Sequence, residues 1–285
     1  MRRLRFSVVR LIERVVGRRQ LVRAARFALD YARRDLPNRM ASNGELLVQD
    51  IVRSSPRKGP LTVLDVGANV GLWSRRLLEA CEQGGERDVV VHAFEPSPRT
   101  YAQLVDDLGQ RFGSRLVPVN MAASDVAGSA MLYGVHDLAG SNSLHGLAGA
   151  TSGLQAEAVQ RCRLDDYCAA ASIERVDLLK IDAEGHDMLV MEGAREMLRS
   201  RAIELVQFEY NFRWIGARRY LQDVFNLALE LGWRVGKVTP DGVEWYECWD
   251  SELETFREGN YLMGSVAATV RFPSIEWWAA PATCS

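Results

Sequence analysis

The chain has 285 residues, 47% of them hydrophobic, and a formal net charge of −2, enough for one large α/β domain with its own core and an appendage. Cys81, Cys162, Cys168, Cys248 and Cys284 form an odd set without CxxC spacing, which argues against a disulfide framework or a cysteine zinc site and for a reducing compartment. Residues 1–34 carry eleven Arg against Glu13 and Asp30, or +9, so the remaining 24 basic and 35 acidic residues leave −11 on the body, a charge that disfavours nucleic acid as its partner.

The first stretch, MRRLRFSVVRLIERVVGRRQLVRAARFALDYARR, places Val8, Leu11, Ile12, Val15 and Val16 on one helical stripe with arginines around it. An arginine interrupts every apolar run before it reaches the length of a signal-peptide core or a membrane span, so the expectation is a cytoplasmic protein. Two readings of the helix stay open: peripheral contact with an anionic inner membrane surface through residues 1–34, or packing on the body with the arginines solvated. Pro37, Asn38, Asn43 and Gly44 punctuate the chain, and Glu45 to Val52 reads as a short helix before the loop SSPRKGP. The expected division is a helical extension over 1–56, a domain over 57–270 and a tail over 271–285 carrying Trp277 and Trp278.

From Leu61 the pattern alternates strand and helix, as a doubly wound sheet requires. Leu61-Thr62-Val63-Leu64 reads as a strand buried on both faces and closed by Asp65. Gly67 and Gly71 bracket a tight loop, and Leu72, Trp73, Leu77 and Leu78 recur at helical spacing behind it. Strand, glycine turn and helix can cradle a nucleotide, because glycine lets the backbone approach a ligand and the helix start offers unpaired N–H groups. VVVHAF (89–94) is the second strand, ending on Glu95, where a carboxylate can accept both hydroxyls of a ribose. RLVPVNMAA (115–123) reads as a third strand, followed by Ser124, Asp125 and a hairpin extension. The Gly-, Ala- and Ser-rich segment 137–160 shows no period and suits a lid over the cofactor pocket or a plain insertion.

VDLLKI (176–181) is the fourth strand and ends in Asp182-Ala183-Glu184-Gly185-His186-Asp187, a cluster placed where open parallel sheets bind ligands and where burial can tune proton transfer. Helices over 188–198 and 220–231 flank a fifth strand, Ile203 to Phe208, tipped by Glu209-Tyr210-Asn211. Strands over 233–238 and 260–264 complete the pattern.

In order, VLDVGANVG, HAFEPSP, RLDDYC, LLKIDAEGHDMLVMEGA and FEYN resemble the motifs of the FkbM family of S-adenosylmethionine-dependent methyltransferases, over about residues 60 to 265. LKIDAEGH is the most specific of them. QRCRLDD departs from the family's threonine-rich strand, and Asp187 and Met191 replace commoner Glu and Leu; neither change removes a proposed ligand contact. The resemblance implies a class I methyltransferase (Rossmann-like) fold with a seven-stranded, mostly parallel sheet. It also implies S-adenosyl-L-methionine as cofactor and a small molecule or glycan with a hydroxyl as methyl acceptor.

On that resemblance, Gly67, Ala68, Asn69 and Gly71 shape the loop around the methionine portion, Asp65 supports it or reaches the amino group, and Glu95 holds the ribose. Ser124 and Asp125 are adenine-side candidates. Asp182 lies near the reactive methyl, with Glu184, His186 and Glu209 facing the acceptor. A divalent cation such as Mg²⁺ on Asp182, Glu209 and Asn211 is an alternative to His186 as direct proton acceptor, and the metal-free route is favoured. A nicotinamide-dependent oxidoreductase would want GxGxxG, where Asn69 replaces the second glycine; a non-catalytic cofactor-binding protein would lack the proton-handling cluster at Asp182 to His186.

Overall fold

The structure, a computed structural model, describes residues 2–35, 39–134, 143–145 and 155–276, with side chains from Val8 onward except that of Gln155. They fall into two compact units, Met1–Asn38 and Arg39–Ser285. In the first, the single helix expected from the stripe is two, α1 (Arg2–Val16) and α2 (Arg18–Ala32). They part at Gly17, whose φ of 80° lies outside the right-handed helix. Among the described residues no helix is long and apolar enough to cross a membrane.

The second unit opens with α3 (Glu45–Ser54), β1 (Leu61–Val66), α4 (Leu72–Gln83) and β2 (Val89–Phe94). Then α5 (Pro98–Leu104) runs through a π-turn at Val105–Gly109 into a last turn, α6 (Gln110–Phe112), ahead of β3 (Leu116–Val119), β4 (Ala122–Ala123), β5 (Gly128–Gly134) and β6 (Gln155–Cys162). There follow α7 (Leu164–Ala170), β7 (Leu178–Ile181), α8 (Asp187–Gly193), α9 (Arg195–Arg199), β8 (Leu205–Tyr210), α10 (Trp214–Ala217) and α11 (Leu221–Leu231). The chain closes with β9 (Trp233–Thr239), β10 (Gly242–Tyr246), β11 (Gly259–Ser265), α12 (Val266–Thr269) and β12 (Ser274–Ile275).

Nine strands form one sheet in the order β12-β10-β9-β11-β8-β7-β1-β2-β3. From β3 to β8 neighbours are parallel, and β11 is antiparallel to both β8 and β9. These seven strands, β3 to β9, are the doubly wound, mostly parallel sheet expected of a class I methyltransferase, and β10 and β12 extend its edge. Strand order reverses between β1 and β7, so a ligand crevice opens at their carboxyl ends. There Asp65 pairs with Lys180 and Val66 with Ile181, which sets Gly67 beside Asp182.

The strands form because their residues are buried on both faces: Val63, Leu64, Leu178, Leu179, Leu205 and Val206 are all fully buried. Leu64, Leu179 and Val206 belong to one core, Val63, Leu178 and Leu205 to the other. Val48 and Val52 of α3 join the second core, so α3 is part of the body, upstream of the boundary expected near residue 56. Phe272 also packs in that core and β12 pairs with β10, so the body continues past 270. Trp277 and Trp278 lie outside the described residues.

A second sheet, β4-β6-β5, takes in the last part of the 137–160 segment, whose apolar pattern marks neither strand nor helix. Of the apolar residues of β6, Ala156 and Ala158 are exposed and Val159 is buried, too weak an alternation to mark a strand. Pairing with β5, from Gly128 opposite Arg161 to Gly134 opposite Gln155, holds it. The rest of that segment, apart from residues 143–145, lies outside the described residues.

Candidate active site

At the end of β1, Gly67 has φ 77° and a Cβ there would stand 1.9 Å from the backbone oxygen of Asp182, so only glycine fits between β1 and β7. The amides of Gly67 and Ala68 both donate to the Phe94 carbonyl, at 3.0 and 2.9 Å, folding the loop over the tip of β2. Asn69, with φ 51°, donates its amide to one Glu95 carboxylate oxygen at 3.0 Å, and the Ser97 amide donates to the other at 2.9 Å. Burial outweighs these two bonds and pushes the Glu95 carboxyl up to about 7.

Beneath the loop, Asp65 is fully buried, accepts from Ser74 Oγ at 2.6 Å and lies 3.2 Å from Lys180 Nζ. The same ammonium is 3.6 Å from Asp182. Burial alone would lower the Lys180 pKa, but Asp65, Asp182 and Glu45 override it and raise it, so the lysine is a fixed cation. Asp65 therefore braces the loop from below. Gly71 starts α4, and a Cβ there would meet Leu108 at 2.4 Å, which makes its role packing.

A cleft of about 700 Å³, open mouth included, lies over these strand ends. Gly67, Asn69 and Glu95 line one part of it, Met121, Ala122 and Ala123 with Leu132 of β5 a second, and Asp182, Glu184 and His186 a third. Leu144 lines it as well, brought in where Ser143 bridges to Tyr133 and donates from Oγ to the Glu184 carbonyl at 2.8 Å. Part of the segment read as a lid or an insertion thus lines the cleft.

The third part is crowded with acids. Glu184 has φ 53°, a conformation that costs a non-glycine residue about 1–3 kcal/mol and persists only where its surroundings enforce it. The Arg213 guanidinium pairs with its carboxylate. Burial and then Asp182 push Glu184 up to about 8, against Arg213. Asp187 accepts from the amides of Gly185 (3.2 Å) and Glu209 (3.3 Å), tying the tip of β7 to that of β8, and burial pushes it up to about 7. Glu209 accepts from Asn211 Nδ2 at 2.7 Å, and its pKa is raised by burial and then by Asp182 and Asp187. It does not line the cleft.

His186, the residue preceding α8, is 4% exposed, with Nε2 at 3.0 Å from Ser124 Oγ and Nδ1 at 2.9 Å from His145 Nε2. The roles follow from proton counting. Ser124 Oγ donates its one proton to the Asp125 carboxylate at 2.9 Å, so His186 Nε2 must carry a hydrogen and donate to Ser124. Neutral His186 then has a bare Nδ1, which accepts from His145. Burial, and then His145, hold its pKa down to about 3.

Of the residues expected to hold a cofactor, Gly67, Asn69, Glu95 and Asp182 line the cleft, while Asp65, Ala68 and Gly71 build the loop behind it. Ser124 is engaged with His186 and Asp125 with Ser124, and their place on the wall is taken by Met121–Ala123. Lys180, Arg213 and His145 went unread. For Lys180 the sign was present, since a lysine inside LLKI must be paired if the strand is buried on both faces. Among the described residues no three His, Cys, Asp or Glu side chains converge to hold a metal ion.

A switch-point cleft with a glycine turn, a carboxylate at the second strand tip and acids at the fourth sits on a class I methyltransferase sheet. The FkbM methyltransferase domain matches residues 65–235, more than half of the chain, and the chain belongs to that family. The 2-O-methyltransferase NoeI of Sinorhizobium fredii (strain NBRC 101917 / NGR234) is 29% identical over 150 residues, covering 48% of this chain and 58% of that protein. The 31-O-demethyl-FK506 methyltransferase FkbM of Streptomyces tacrolimicus is 31% identical over 161 residues, covering 47% of this chain and 59% of that one. The chain thus spans less than two thirds of either relative. A crystal structure of methyltransferase FkbM from Methylobacillus flagellatus KT aligns with 74% of this chain and 44% of its own at 15% identity and a TM-score of 0.43, too distant to bear on the site.

Proposed function

We propose that the chain is an S-adenosylmethionine-dependent O-methyltransferase whose acceptor is a hydroxyl on a sugar, glycan or other secondary metabolite. The carrying observation is the cleft itself, which joins the Gly67–Glu95 cradle to the Asp182–His186 acids in one cavity. The donor set fits the cofactor: Glu95 has accepted one N–H on each oxygen and keeps acceptor capacity for a diol, and Gly67 leaves open backbone where a Cβ would clash. Bound there, S-adenosylmethionine supplies a methyl already activated on sulfonium. The names of the two relatives, a 2-O- and a 31-O-methylating enzyme, support oxygen as the acceptor atom. Glu95→Ala should weaken S-adenosylmethionine about thirtyfold to several-hundredfold in calorimetric titration, the roughly 2–4 kcal/mol of a buried charge-assisted contact. Unchanged affinity in that variant, or a wild-type preference for NAD, overturns the cofactor.

His186 was expected to take the acceptor's proton, but both its nitrogens are engaged and a base whose conjugate acid has a pKa of about 3 is weak. We assign the proton to Glu184, which lines the cleft, is held by Arg213 and has basicity near 8, close to working pH. His186 positions Ser124 and the 143–145 segment. Glu184→Gln should then cut kcat by about 10² to 10⁴ with cofactor affinity nearly intact, and EDTA should leave turnover unchanged. Full activity of that variant with loss in His186→Ala returns the base to His186. Loss on chelation with recovery in Mg²⁺ moves the role to a cation on Asp182 and Glu209. Mass spectrometry of glycans and metabolites from cells lacking the protein would identify the acceptor.

A further inference from the structure

The described residues of the N-terminal unit have a surface unlike that of a finished globular protein. Along α1, Val8, Leu11, Ile12 and Val15 recur at i, i+3, i+4 and i+7, and all four are exposed, Leu11 by 64% and Val15 by 79%. Val9 and Val16 widen the stripe. Neighbouring α2 buries none of its residues and exposes Val22, Phe27, Leu29 and Tyr31 in turn. Large apolar side chains grouped this densely on a surface mark something that covers them. Arg10 and Arg14 take the opposite face of α1, and Arg18, Arg19, Arg23 and Arg26 line a shallow groove on α2 with Val22.

We propose that this unit is a peripheral membrane-binding element, laying the apolar stripe of α1 into the headgroup boundary of an anionic phospholipid bilayer while the arginines engage lipid phosphates. Charge selects the occupant. Residues 1–34 carry +9, which complements an anionic surface and opposes the approach of a second, equally basic copy. Nucleic acid would use the arginines but leave the aliphatic stripe in water, whereas a bilayer takes both. Among the described residues no helix can span a membrane, so the element lies on the surface. The body, at −11, gains nothing from anionic lipid, so binding by the whole chain reports on the N-terminal unit.

The test is cosedimentation of the full chain with vesicles of phosphatidylcholine alone or mixed with phosphatidylglycerol, at low and high salt. Wild type should bind the anionic vesicles more than tenfold better and lose that preference in ~1 M salt, where charge is screened within about 3 Å. Each arginine engaged contributes roughly fivefold, so Arg18→Glu/Arg19→Glu/Arg23→Glu should abolish the preference. Leu11→Ser/Ile12→Ser should reduce binding to background while the thermal transition of the body is unchanged. Wild type that ignores lipid charge, or binds no vesicle, overturns the proposal. So does a chain that is dimeric without vesicles and becomes monomeric in Leu11→Ser/Ile12→Ser, or one that binds RNA in preference to vesicles with Leu11→Ser/Ile12→Ser binding RNA as wild type does.

Discussion

The two ends of the cleft are built on different principles. At the β1–β2 end the backbone does the work: three amides in sequence, Gly67, Ala68 and Asn69, turn onto Phe94 and Glu95, and a single carboxylate faces the cavity. At the β7–β8 end Asp182, Glu184, Asp187 and Glu209 crowd together, and their nearest cations, Lys180 and Arg213, reach them from a buried strand and from beyond β8. The backbone cradle is held by short bonds between the tips of two neighbouring strands, with Glu95 as its one charged member. A charged cluster is stable only while every distant partner is in place, so the second end should be the more fragile to substitution and to pH.

The sharpest way to break that contrast is Lys180→Met. It leaves Asp65, fully buried, with Ser74 as its remaining partner and strips Asp182 of its nearest cation. Removing one member of a buried pair costs about 3–5 kcal/mol, so the variant should show that loss in urea denaturation. Asp65→Asn/Lys180→Met should recover part of it, because no lone charge remains. A loss under ~1 kcal/mol would mean the pair is hydrated and the contrast unfounded.

Gly67→Ala probes the cradle with a smaller expected effect. The new Cβ must move the Asp182 carbonyl and adopt a positive φ, at about 1–3 kcal/mol, and so displaces Asp182, which lines the same cleft as the loop. Calorimetry should show S-adenosylmethionine affinity falling at least tenfold, out of proportion to the loss of stability. An affinity that tracks stability alone would make Gly67 a packing residue, as Gly71 is.

The contrast also explains what could be read from the sequence. Strand, glycine turn and strand-tip acid lie within about 35 residues of each other, and local constraints such as a left-handed φ leave their mark on residue type. Hence Gly67, Asn69 and Glu95 were legible, as were Asp182 and Glu184 at the tip of an apolar strand. The partners that set the chemistry are not local. Arg213 carries no pattern that links it to Glu184, His145 sits in a Gly- and Ser-rich stretch without a period, and β6 is held by pairing with β5 more than by its own alternation. His186 stands out in the sequence, but what it can do is set by Ser124 and His145, neither adjacent in sequence.

The smallest expected effect is the most diagnostic of the charged end. In the folded chain Glu95 and Asp187 are pushed up to about 7 and Glu184 to about 8, from ordinary values of 4.5, 3.8 and 4.5. Between those limits the native state binds more protons than the unfolded one, so these groups make stability fall as pH rises, with the loss complete above the folded pKa. Burial lowers His92, His145 and His186, which works in the opposite sense: the unfolded chain binds more protons below 6.5, and stability falls as pH drops. Below 6.5 the two sets oppose each other. Between 6.5 and 8 the unfolded histidines shed their remaining half proton each, which returns at most about 0.4 kcal/mol apiece, and the carboxyls outweigh them, so urea denaturation of the cofactor-free chain should show a net loss of about 1–2 kcal/mol across that interval. Glu184→Gln should flatten the slope, since it removes a group that goes on titrating up to about 8, and Glu95→Gln should flatten it less. A stability that is level from 6.5 to 8 in the wild type would show that water reaches the carboxylates between β7 and β8, and Glu184 would lose the raised basicity on which its assignment as proton acceptor rests.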